Sequence, residues 1–187
     1  MNIVKTSLAI APLIMGSLLV GGCATETAAF RGMTAVDHER AAGGQGPDGA
    51  TAAEHAAAAK RLRDAELAAC AEVPDADRDQ GPFARRERIT GVEEVRDRVY
   101  AKGMKQPFGV VVYLRATPGV TEQWVRRVTE CHLAHHAVVG WNDSERVSPL
   151  SEDARIAVST TGTGFRVSIT SPDVDVARSV IRKASTL

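Results

Sequence analysis

The amino-acid sequence predicts an α+β fold, a two-layer sandwich in which an antiparallel four-stranded sheet carries helices on one face, in the order α-ββ-α-ββ-α. Three observations support this prediction. Strong helix formers fill residues 51–73, β-branched and aromatic residues fill residues 108–116, and two alternating apolar and polar segments flank Gly162-Thr163-Gly164. Helices on one face would cover the apolar side of such a sheet. Small folds of this kind carry many functions, so the fold class alone identifies none.

The first helix is predicted between a cap at Thr51 or Asp48 and a stop at Pro74. At 100° per residue, one face collects mostly small apolar side chains, namely Ala58, Leu62, Ala65, Ala69, Cys70 and Val73. Such a face suits close packing against a partner helix. Glu66 interrupts it, and we interpret Glu66 as an edge residue, with a functional carboxylate as the alternative.

The first pair of strands comes next in the chain. Residues 89–100 place valines at a spacing that favours a strand pair or one bent strand over a helix. Residues 108–116, FGVVVYLRA, lie between Pro107 and Pro118 and are typical of a buried central strand.

A second helix, a hairpin and a last helix complete the predicted order. The second helix covers residues 121–139, from a Thr121 cap to Gly140. Residues 154–160 and 165–170 form the hairpin. The last helix follows Pro172-Asp173, with its inward residues at Val176, Val180 and Ile181.

The N-terminus has the pattern of an export signal. Lys5 precedes an uncharged run that is too short to span a bilayer and ends in Val20-Gly21-Gly22-Cys23. This ending resembles the lipobox of bacterial lipoproteins. The resemblance implies that the Cys23 thiol is diacylated and that residues 1–22 are removed. An ordinary secretory signal cleaved near Ala24 is the alternative.

The resemblance also implies where the protein resides. Two or more acyl chains hold a protein firmly on a membrane, whereas one chain binds only marginally. In lipoproteins of Gram-negative bacteria, an Asp after the lipidated cysteine commonly marks retention in the inner membrane, and here that residue is Ala24. We therefore expect a lipid-anchored protein of the bacterial cell envelope, on the outer membrane and facing the periplasm.

Three segments are predicted along the chain. Residues 1–22 are the signal peptide, residues 23–50 a flexible tether, and residues 51–187 a single α+β domain. The tether carries few large apolar side chains and ends in a Gly-rich stretch, so it cannot bury enough surface to offset its chain entropy. His38 lies within it and is expected to be solvated.

The charge balance excludes one class of partner. Removing residues 1–22 leaves 165 residues with 22 basic and 23 acidic side chains, and the aromatic content is 4%. A nucleic-acid-binding protein would show a basic stripe with interleaved aromatic residues. We therefore predict no nucleic-acid partner.

Two cysteines remain after Cys23, and a disulfide accounts for both. Cys70 lies on the inward face of the first helix and Cys131 on that of the second, in a compartment expected to be oxidising. Such a bond would close a loop of about 60 residues and remove on the order of 4 kcal/mol of unfolded-state entropy. With Cys131 oxidised, His135 becomes a core histidine near Trp124.

The segment from Glu130 to His136 is the one cluster of reactive side chains in the sequence. His132 and His136 form an i,i+4 pair that a rigid helix could present to Zn²⁺ or Cu²⁺. The signal is weak, because the sequence has no HExxH, no CxxC and no second Cys/His cluster. A nucleophilic Cys131/His135 pair would need a free thiol.

These observations favour a lipoprotein with a small disulfide-stapled domain that acts as a binding or structural module for an unknown envelope protein or ligand, without a cofactor. A metal-handling lipoprotein that uses His132 and His136 is the second hypothesis, and a thiol enzyme the third. The sequence contains no GxSxG, GxGxxG or P-loop motif, so we expect no enzymatic activity.

Overall fold

The chain folds as an α+β domain with the predicted four-stranded antiparallel sheet. The computed structural model describes residues 32–44, 51–98, 105–141, 148–151 and 153–187. Its helices are α1 (Ala35–Ala42), α2 (Ala52–Ala69), α3 (Asp75–Gln80), α4 (Glu122–Val139) and α5 (Val174–Ala184). Its strands are β1 (Ile89–Arg98), β2 (Lys105–Arg115), β3 (Arg155–Thr161) and β4 (Gly164–Thr170), with a short 3-10 turn at Arg86–Arg88.

The strand order is β1-β2-β4-β3, so β2 and β4 are the central strands. Their register pairs Val110 with Ile169 and Val112 with Val167, which places apolar side chains opposite one another on one face. The sequence offered a strand pair or a bent strand for residues 89–100. The structure has one strand there, with irregular register near Gly91 and Arg96.

Two glycines permit the close approach of β2 and β4. A Cβ atom on Gly164 would lie 1.9 Å from the carbonyl oxygen of Leu114, and one on Gly109 would lie 2.0 Å from that of Ile169. The sequence assigned Gly164 to the hairpin turn, but it is the first residue of β4. Glycine is needed there because a side chain would collide with the backbone of β2. Any side chain at either position would push the central strands apart.

The main core lies between the sheet and the helices α4 and α5. Its apolar residues are mostly β-branched or aromatic, and include Val110, Val112, Leu114, Val125, Phe165, Val167, Ile169 and Val180. The α5 helix starts at Asp173, whose carboxylate accepts from the backbone N–H groups of Asp175 and Val176. The N-terminal end of α4 is fixed to the edge strand β3, because Glu122 accepts from the backbone N–H and the hydroxyl of Thr160.

Helix α1 corrects the prediction of a tether through residue 50. Thr34 and Asp37 form a capping box at its start, and Ala35 and His38 are 0% and 2% exposed. The compact unit accordingly begins at Gly32. His38 is buried rather than solvated, because α1 packs on α2.

Helix α2 packs on α1 and α4, so α4 is buried on two sides. Its buried residues are His55, Ala58 and Ala59, whereas Ala65, predicted to face inward, is exposed. The helix ends at Ala69, and Cys70 follows as its cap. None of the helices in the described ranges is long and apolar enough to cross a membrane.

Candidate functional site

The contact between α2 and α4 is a ladder of specific side-chain pairs. Cys70 and Cys131 form the predicted disulfide, with their Cα atoms 4.5 Å apart. One turn along both helices, His135 Nδ1 lies 2.6 Å from Glu66 Oε1. Because the helices run antiparallel, the disulfide determines which residues meet on either side of it.

This ladder changes the interpretation of two predicted residues. The side chain of His135 is 21% exposed and bonded to Glu66, so it is not the core histidine near Trp124 that we expected. Glu66 is an edge residue, 19% exposed, and its apparent intrusion into the apolar face is explained by this partner. The disulfide also removes the thiol that a Cys131/His135 nucleophile requires, which rules out the thiol-enzyme hypothesis for the oxidised protein.

The predicted pair His132 and His136 lies on the other side of α4, with both residues no more than 2% exposed. His132 Nδ1 is 2.9 Å from the Arg78 carbonyl oxygen, and His136 Nδ1 is 2.9 Å from that of Gly140. Since a carbonyl oxygen only accepts, each Nδ1 carries a proton and, in the neutral ring, each Nε2 carries the lone pair. The ring centroids are 4.4 Å apart and nearly perpendicular.

Trp141 covers this histidine pair. Its ring stacks on His136 at a centroid distance of 3.9 Å and an angle of 14°, and meets the edge of His132 at 5.6 Å. Lys183 Nζ lies 5.5 Å from the centre of the same indole ring. Burial lowers the pKa of Lys183, and the charge of Arg182 adds to this shift.

A cavity of about 300 Å³ opens beside His132. Its walls combine apolar, charged and hydroxyl groups, among them Asp79, Gly81, Phe83, Arg86, His132 and Ser148. Gly81 has a positive φ of 64°, and a Cβ there would lie 2.9 Å from the His132 ring. The backbone at Gly81 therefore holds the imidazole from one side while the cavity lies beside it.

The metal hypothesis rests on two imidazoles alone. Among the residues that the structure describes, no group of three or more His, Cys, Asp and Glu side chains is arranged to hold a metal ion. His132 and His136 would therefore supply two ligands, and water or a ligand from elsewhere would have to complete the coordination.

Cys23 lies outside the described residues, as do positions 142–147.

Sequence reasoning missed the cavity and a second buried histidine pair, His38 and His55, whose Nδ1 atoms are 2.9 Å apart. The only local signal for this pair was the Thr34-x-x-Asp37 capping pattern, which predicts a helix at this point in the supposed tether.

No protein-family model, no curated protein and no solved structure matches this chain.

Proposed function

We propose that the protein is a lipoprotein of the bacterial envelope, anchored through acyl groups on Cys23, whose folded domain faces the periplasm as a binding or structural module. The single observation that carries this proposal is the ending Val20-Gly21-Gly22-Cys23 after an uncharged run. The Cys70–Cys131 disulfide supports export, because disulfides persist in oxidising compartments and are rare in the cytosol.

The cavity beside His132 is the proposed binding place within this module. It is concave, it is lined by a buried imidazole, the apolar side chain of Phe83 and the cation of Arg86, and its volume suits a small molecule or one side chain of a partner protein. Its imidazole is held by the Arg78 carbonyl and by contact with Gly81, so the binding surface is preorganised.

The anchor is tested by intact mass and by incorporation of labelled fatty acid in a bacterial host. The wild-type protein should carry acyl groups on the peptide that begins at Cys23, and Cys23→Ala should lose them and accumulate as precursor. The Cys70→Ser/Cys131→Ser variant is the matched control, and it should keep the label although two cysteines are missing. An acylated N-terminus in Cys23→Ala would refute the proposal.

The proposed outer-membrane location has its own test. Ala24→Asp should move the acylated protein to the inner-membrane fraction, whereas Ala24→Ser should leave it in the outer membrane. Acylated wild-type protein found in the inner-membrane fraction would contradict this location without contradicting the anchor.

A second candidate function, metal handling by His132 and His136, is favoured by their hydrogen bonds. Metal-binding histidines commonly donate one ring N–H to a carbonyl and coordinate through the other nitrogen, and both Nδ1 atoms here are bonded to carbonyls. If this function is correct, Zn²⁺ or Cu²⁺ should raise the melting temperature with increasing concentration, because a ligand of the folded state stabilises it.

The metal effect should vanish in His132→Ala/His136→Ala and persist in His135→Gln, which changes the neighbouring histidine bonded to Glu66. It should also weaken below about pH 6, where protons compete for the imidazoles. An unchanged melting temperature at millimolar metal would reject this candidate and leave the binding module in place.

A further inference from the structure

The contact between α1 and α2 is centred on two buried imidazoles. His38 Nδ1 lies 2.9 Å from His55 Nδ1, and the ring centroids are 5.2 Å apart. The two residues are 2% and 0% exposed. This pair is separate from the cavity, and it joins α1, which the sequence did not predict, to the predicted helix α2.

A hydrogen bond between two identical ring nitrogens allows one proton between them. One Nδ1 must carry the proton and the other must offer its lone pair, so the pair can hold at most one positive charge while the bond exists. If both rings were positively charged, both Nδ1 atoms would carry protons, and two N–H groups on two buried cations would face each other at 2.9 Å. Such an arrangement is strongly unfavourable between two buried side chains.

Several charged side chains on α1 and α2 have described contacts of their own. On α1, Asp37 accepts from Thr34 and Arg40, while Glu39 binds Arg63 of α2. On α2, Glu54 accepts from the Thr51 cap.

The titratable groups in the last turns of α4, which also touches α1, are its histidines, and these have contacts of their own. His132 and His136 bind backbone carbonyls, and His135 binds Glu66. The hydrogen bond between His38 and His55 is a contact between α1 and α2 that depends directly on where a ring proton lies.

We propose that His38 and His55 form a pH-sensitive clasp that holds α1 on α2 at neutral pH and releases it in mild acid. The released imidazoles can take up two protons, whereas the clasped pair can take up one. The released state therefore binds more protons, so the stability of the clasp increases with pH and is lost as the pH falls. Free imidazoles become protonated near pH 6.5, which sets the start of the change.

Helix α1 precedes the rest of the domain in the chain, on the side of Cys23. Under the proposed lipid anchor, release of α1 would lengthen the connection between the membrane and the domain. The clasp does not depend on the anchor, because it consists of the contact between His38 and His55. Its test measures hydrogen exchange in α1 and can be made with or without acylation.

Amide hydrogen exchange on the full chain, corrected for the intrinsic pH dependence of exchange, tests the clasp. The opening equilibrium constant of residues 35–42 should rise by up to about tenfold per pH unit below pH 6.5, while α4 and β2 stay protected. His38→Gln should flatten this dependence, because its amide cannot be protonated and can either donate to the neutral His55 ring or accept from the protonated one. His135→Gln, which removes a titratable histidine from the contact between α2 and α4, should retain the pH dependence.

Two outcomes would overturn the clasp. The first is a pH dependence of α1 exchange that is the same in His38→Gln as in the wild type. The second needs no variant and comes from ¹⁵N spectra of the two imidazoles at pH 5. Protons on both Nδ1 atoms, while the amides of α1 remain protected from exchange, would contradict the shared proton directly.

Discussion

The two sides of α4 are stabilised by different chemistry. Toward the sheet, Val125 packs into a core of valine, isoleucine, leucine and phenylalanine side chains that are at most 7% exposed. Toward α2, the partner surface is largely alanine, and α4 is connected to it by a disulfide and by the Glu66–His135 hydrogen bond. Arg127 also pairs with Glu72, just beyond the end of α2. Each buried methylene contributes about 0.8 kcal/mol, so alanines offer little apolar stabilisation.

This difference explains why the disulfide lies where it does. The sheet side has enough apolar area to define its own packing, whereas an alanine surface could slide along its partner. The covalent bond between Cys70 and Cys131 determines the register, and the Glu66–His135 contact follows from it. Substitutions on the two sides should therefore fail for different reasons.

The largest effect is expected from the double variant Cys70→Ser/Cys131→Ser. The bond spans a sequence separation of 61, and releasing a loop of that size restores about 4 kcal/mol of entropy to the unfolded chain. Urea denaturation should show a loss of that order, and the reduced wild-type protein should behave like the variant. A loss below about 1 kcal/mol would mean that the alanine surface holds α2 by packing alone.

The sheet side should respond to a cavity instead. Ile169 is 0% exposed in the core, and Ile169→Ala should cost about 3 kcal/mol through lost burial and the space left behind. Leu67→Ala is the matched control on α2, where the side chain is 73% exposed and the cost should stay below about 0.5 kcal/mol. Equal costs for the two variants would contradict the apolar core as the main source of stability on this side.

The same contrast separates what the sequence could predict from what it could not. The strands, α4, α5 and the disulfide produce local signals, namely alternation, caps and cysteines on inward faces. Helix α1 has only eight residues and is stabilised by a contact between His38 and His55, which are 17 positions apart. The Thr34-x-x-Asp37 pattern marks the start of a helix, but no local pattern carries the long-range contact that stabilises it.

The candidate site was likewise predictable only where it depends on local spacing in the sequence. The i,i+4 spacing identified His132 and His136 as neighbours. Their carbonyl partners, the stacking of Trp141 and the cavity depend on how the loop at Gly81 folds back onto α4, which is a tertiary contact. The partner of His135 likewise depends on the register between two helices.

A smaller effect should come from Gly81→Ala, at the edge of the cavity. The change forces a side chain into a positive φ and against the His132 ring, so it should cost about 2 kcal/mol and shift the ring resonances of His132. Gly119→Ala is the control, since Gly119 has a φ of 80° with no atom within 4 Å of the added Cβ. It should show the backbone strain alone, about 1 kcal/mol. Equal costs would mean that the His132 contact adds nothing.

The smallest effect is expected at Lys183, which lies over Trp141, a side chain packed against the apolar core of the sheet. Burial, with a further contribution from Arg182, lowers the pKa of Lys183 in the folded protein below its usual value of 10.5. The unfolded chain therefore binds this proton more tightly than the folded protein does. The contribution of Lys183 to the free energy of unfolding should therefore rise as the pH increases toward 10.5.

Lys183→Met should remove this alkaline rise, and Lys60→Met, at an exposed residue paired with Asp64, should leave it in place. The measurement is the free energy of unfolding by urea at pH 7, 8.5 and 10 for the three proteins. The indole ring stabilises the charged ammonium, whereas burial destabilises it. The rise in the free energy of unfolding is the difference of these two effects and should stay within a few tenths of a kcal/mol. A wild-type stability that falls with pH relative to Lys183→Met would show that the ring contact outweighs burial, and that even this side of the molecule relies on a polar contact.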